Sequence, residues 1–139
     1  AGLFPGYYPG QTENIPGSNF PVGAIGGTGY WIHVSNVSAG MAFFPDNVNA
    51  LAYGGYVGDT YGTYYYETLT AGEALGINLK IDDGFPFTGR IRMRTANGRS
   101  QTCATGLYEG TNNAAQIAAN EYNVGVSGKL CNLLIDMGA

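Results

Sequence analysis

Charge is what this 139-residue chain has least of. Charged residues make up 12% of it, about half the usual share of a soluble domain. There is one histidine, His33, one tryptophan, Trp31, and only two cysteines, Cys103 and Cys131. Each shortage excludes something. The net charge of −4 provides no cationic field for a phosphate backbone, so nucleic acid is not an expected partner. A single histidine and two cysteines fall short of the roughly four ligands a structural zinc site takes. A cysteine nucleophile would need a base, and one distant histidine is a poor candidate. No run of about 18 apolar residues is present to span a bilayer, and no secretory signal is visible. The chain begins Ala1-Gly2-Leu3-Phe4-Pro5 without an initiator methionine. That start predicts a mature or truncated product, with any export signal or anchor on a piece not seen.

What the chain has in quantity is glycine, 23 residues, and tyrosine, 11, within a composition that is 45% hydrophobic. This is too apolar for disorder. It predicts one loop-rich, β-leaning domain over residues 1–139, with a nearly neutral surface on which little repulsion keeps copies apart. A disulfide between Cys103 and Cys131 is the economical reading of the two cysteines, with two unpaired buried thiols as the alternative. A bridge across 28 residue steps would contribute roughly 3 kcal/mol in the chain-entropy model. It would also imply an oxidising, extracytoplasmic location.

Along the chain, residues 1–29 hold four of the six prolines, Pro5, Pro9, Pro16 and Pro21. That predicts an extended wrapping segment. The run Gly29–Val34 reads as a strand with Tyr30, Ile32 and Val34 on one face and Trp31 and His33 on the other. Residues 50–66 predict strands and glycine turns, with Leu51, Tyr53 and Val57 packing. Thr70-Ala71-Gly72-Glu73 is a capping box. It opens a helix whose apolar stripe is Ala71, Ala74, Leu75, Ile77 and Ile81, with Gly84 as the left-handed residue past its end. Arg90 to Thr95 alternates as a strand, with Ile91 and Met93 inward and Arg90, Arg92 and Arg94 outward. Asn97-Gly98 predicts a hairpin returning over about 99–104. Residues 111–121 could form a short helix. Lys129 to Met137 reads as a buried closing strand.

Asp82 and Asp83 are the chemically suggestive pair. Adjacent carboxylates at a helix end point in different directions, which suits a glycosidase poorly, since its two acids face each other across a cleft. A calcium ion wants several spaced oxygen ligands, and Asp82 and Asp83 with nearby carbonyls are a weak candidate. Acids are unfavourable at the C-terminal end of a helix dipole, so something must compensate. The leading expectation is a structural Asp–Arg junction, with Asp82 and Asp83 paired to Arg90 and Arg92, holding the helix against the strand. The arginine face is then either a solvated surface or a docking surface, Arg94 included. Trp31, Tyr64, Tyr65 and Tyr66 are candidate surface contacts, since tyrosines on a sparsely charged surface supply contact area.

Several blocks together resemble the C-terminal globular region of type IV pilin-like and pseudopilin proteins. They are Ala1–Gly6 followed by Asn19-Phe20-Pro21; Thr70–Ile81 into Asp82-Asp83-Gly84, then Pro86, Gly89 and Arg92; and Cys103 with Gly128-Lys129-Leu130-Cys131-Asn132-Leu133. The resemblance implies an α+β fold: an antiparallel β-sheet with one short helix, long Gly/Pro-rich loops and one disulfide. It also implies a structural subunit of an extracellular filament that acts by self-assembly, with no enzymatic activity and no cofactor. The implied partners are other copies of the chain, or a removed or separate N-terminal helical segment, through which alone it would meet a membrane. The sequence departs from the pattern in lacking that long apolar helix, and in carrying Asn78 where an acidic residue is expected. The alternative function is a pilus-associated adhesin or carbohydrate-binding module using the Tyr/Trp surface.

Overall fold

The structure is a computed structural model that describes residues 21–35, 48–55, 67–93, 102–106 and 118–138, with 31–35 and 48 described by their backbone alone. The elements run β1 (Thr28–Ser35), β2 (Val48–Gly55), α1 (Ala71–Ile81), β3 (Ile91–Arg92) and β4 (Leu133–Asp136). The four strands form one sheet in the order β1-β2-β4-β3, and every pairing is antiparallel. With helix α1 beside this sheet among the described residues, and a disulfide between Cys103 and Cys131, the class is α+β. Among the described residues, no helix is long and apolar enough to cross a membrane.

Register explains which residues meet. Tyr30 lies opposite Tyr53, which lies opposite Leu133. Two residues along, Leu51 lies opposite Ile135, which lies opposite Ile91. Residues directly opposite share a face, and the side-chain period is two. Tyr53, Leu133 and Ile91 therefore stand on the same side. That side faces the main core, with Leu69, Ala71, Ala74, Phe87, Met93, Cys103, Tyr122 and Cys131. The opposite face carries Ala50, Ala52 and Leu134, which are also buried. β4 begins with two leucines in succession because it is covered on both faces. Each buried leucine side chain contributes about 1.5–3 kcal/mol. The expected closing strand is therefore a central one, between β2 and β3.

The start of β1 is fixed by a turn. Gly23 N–H donates to Thr28 O at 2.9 Å, and Thr28 N–H to Ile25 O at 3.1 Å. The Thr28 hydroxyl donates to Ile25 O at 2.5 Å and lies 2.9 Å from the Tyr53 hydroxyl. The Tyr53 ring packs tilted against Tyr30, with centroids 4.7 Å apart.

Helix α1 begins as its sequence dictates. Thr70 accepts from Glu73 N–H at 3.2 Å, and Glu73 Oε2 accepts from Thr70 N–H at 2.8 Å. This satisfies two N–H groups that a helix start leaves unpaired. Those bonds, to the Thr70 backbone first, hold the Glu73 carboxyl below the usual carboxylate range.

Two expectations are corrected here. The inward positions of α1 are Ala71, Ala74 and Asn78, while Ile81 is 63% exposed. The small alanines let the helix approach closely, and a polar residue completes the stripe because it has buried main-chain partners, given below. β3 spans only Ile91–Arg92, and its neighbour is β4. The described part of the expected return strand bridges elsewhere, with Ala104 opposite Tyr122. Thr105 N–H donates to Glu121 O at 2.9 Å, and Asn123 N–H to Cys103 O at 2.8 Å. Apolar β4 fills the place beside β3 instead. Within β3 and the residue after it, Ile91 and Met93 are buried and Arg90 is exposed, as the alternation predicts. The wrapping segment before Pro21, Val57, the Asn97-Gly98 hairpin and residues 111–117 lie outside the described residues.

Candidate functional site

The helix end, the turn after it and the start of β3 form one closed polar junction around Asn78. Asn78 is fully buried. Its Nδ2 lies 2.9 Å from Phe85 O, 3.2 Å from Ile91 O and 3.0 Å from the Tyr122 hydroxyl oxygen. Its Oδ1 accepts from Gly84 N–H at 2.9 Å. Two of these partners are carbonyls, which only accept, so the amide nitrogen must face them and the orientation of the amide follows. One side chain thus ties the turn after α1, strand β3 and the 121–123 segment to the helix. Both hydrogens and the oxygen are used, as burial requires.

The two aspartates occupy the outer layer of the same junction. Asp82 closes the helix, with its N–H donating to Asn78 O at 2.7 Å. Its Oδ2 accepts from Ile91 N–H at 2.6 Å. Asp83 Oδ1 accepts from Phe85 N–H at 2.9 Å, and Oδ2 accepts from the Thr88 hydroxyl at 2.6 Å. Charged acceptors receiving N–H and O–H bonds make strong contacts, which offset the unfavourable dipole at this helix end. Arg90 Nη2 donates to Asp136 O at 3.0 Å, and Arg92 Nε to Gly89 O at 3.0 Å. Asp82 thus links helix and strand through the Ile91 N–H, and each arginine gives one bond to a carbonyl oxygen of the turn or of β4.

Glycine is required at two points of this turn. Gly84 and Gly89 have φ of +81° and +65°, a region that side-chain-bearing residues rarely adopt. At Gly89 an added Cβ would come within 2.6 Å of the Asp82 carboxyl carbon. Gly89→Ala is expected to push that carboxylate off the Ile91 N–H and to strain the backbone. Stability should fall by about 1–3 kcal/mol, read as a lower urea midpoint at unchanged slope.

Tyr122 closes the inner side of the junction. Burial pushes its phenol up to about 12; the Asn78 hydrogen bond acts in the opposite direction, and the Asp83 and Asp82 charges add to the rise. A raised phenol favours the protonated folded state. Its contribution is therefore complete below the ordinary tyrosine value of about 10 and is lost as pH climbs from there through about 12. Unfolding followed by circular dichroism should show an alkaline loss of stability in that window. Tyr122→Phe should flatten it while costing little at pH 7, because Asn78 Nδ2 keeps two carbonyl partners.

Beside the junction lies a groove of about 280 Å³, lined by Leu75, Leu79, Asp83, Gly84, Phe85, Glu121, Tyr122 and Val124. Leu79 and Val124 are 62% and 60% exposed, and Phe85 is also exposed. The floor is apolar, and among the described residues the lining holds two carboxylates and no cationic residue.

The structure brings Asp82, Asp83, Arg90 and Arg92 to one junction and places Cys103 and Cys131, both fully buried, in the core nearby. Trp31 lies in β1 opposite Ala52. Tyr64, Tyr65, Tyr66 and Arg94 lie outside the described residues. Among the described residues no three of His, Cys, Asp and Glu group as metal ligands. Sequence reasoning noted Asn78 only as a departure from the pilin pattern and missed its bonding role, and it missed Tyr122 altogether. The available signal was an asparagine on the inward stripe of a capped helix, where only a bonded polar group is tolerated. Compared with models of known protein families, with curated proteins and with solved structures, the chain matches none.

Proposed function

We propose that this chain is a structural subunit of an extracellular filament of the type IV pilus or pseudopilus kind, acting by assembly and not by catalysis. The observation that carries the reading is the pairing of a tightly bonded helix-turn-strand junction with apolar side chains left open beside it. The acids that suggested chemistry are spent on architecture: Asp82 on the Ile91 N–H, and Asp83 on the Phe85 N–H and the Thr88 hydroxyl. Leu79, Ile81 and Val124 meanwhile remain more than half exposed. Apolar groups clustered at a surface commonly mark an interface, and a sparsely charged chain offers little to keep copies apart. The α+β sheet and the buried Cys103–Cys131 disulfide agree with the resemblance drawn from the helix–Asp82-Asp83-Gly84 block. The partners are other copies of the chain or an N-terminal helical pilin segment, and the location is the cell surface or beyond it. Long Gly/Pro-rich loops wrapping the sheet belong to the same reading.

Electron microscopy of native surface material, labelled with antibody raised against this chain, tests the proposal. Periodic filaments decorated along their length are the expected result. Label confined to filament tips, with glycan binding by the isolated chain, would replace the subunit with an adhesin.

A further inference from the structure

We draw no further inference here: the strongest candidate, the apolar groove beside Tyr122 at the end of α1, floored by Leu75, Leu79, Phe85 and Val124, carries nothing because nothing in the structure shows what covers it.

Discussion

Asn78→Asp should destabilise the protein by about 3 kcal/mol or more at pH 7, and the loss should shrink as the solution is acidified. The substitution changes one nitrogen to oxygen, yet it reverses the polarity of the junction. In the native chain Nδ2 faces Phe85 O, Ile91 O and the Tyr122 hydroxyl. A carboxylate there would set a buried negative charge against two carbonyl oxygens. Burial and these neighbours both favour the protonated acid, so the folded-state pKa of the new Asp would lie above its unfolded value of about 3.9. The sign follows from that. The variant is least impaired below the unfolded value, where both states are protonated, and loses stability as pH rises through the folded value. Asn78→Leu provides the control. It removes the charge but leaves Gly84 N–H, Phe85 O and Ile91 O unpaired, at about 1–3 kcal/mol for each buried group that water cannot reach. Its loss should therefore be large and independent of pH between 3 and 7. Urea denaturation of both variants across that range distinguishes a charge effect from a packing effect, and equal pH profiles would sink the account of Asn78 as an oriented donor.

The second large effect concerns the disulfide. Cys103 and Cys131 have Cα atoms 5.3 Å apart and are 28 residues apart in sequence, and both side chains are fully buried. Closing a loop of that size contributes about 3–4 kcal/mol by restricting the unfolded chain. The bridge also holds together two segments that few regular elements secure. Cys131 pairs with Leu69, ahead of α1, and the neighbours of Cys103 pair with the 121–123 segment. Replacing both cysteines by alanine should therefore remove about 3–4 kcal/mol and further weaken packing around Leu69 and Tyr122. Intact mass of the untreated protein should be two hydrogens lower than after reduction. Full burial predicts that reductant without denaturant acts slowly, whereas rapid alkylation of the untreated native protein would contradict the bridge.

Much of this architecture is legible in the chain itself. The capping box at Thr70 and Glu73 and the glycine at 84 mark α1 because they meet needs of the helix ends that hold in any context. Alternation marks Ile91 and Met93 as inward for the same reason: it is local geometry. The adjacent leucines at 133 and 134 mark a strand buried on both faces. Tertiary structure alone decided the partners. Nothing local says that β4 sits between β2 and β3, or that the 102–105 segment pairs with 121–123 and not with the strand before it. Pairing depends on which apolar surfaces can be covered together, and that is a property of the whole chain. The same holds at the junction. Sequence spacing placed arginines near Asp82 and Asp83, but it could not show that these carboxylates also accept from the main-chain N–H groups of Ile91 and Phe85, groups that must be satisfied if buried. Asn78 shows the limit most clearly. Its type and helical position were readable, but its role came from three segments up to 44 residues away in sequence, which only folding brings within reach of one amide.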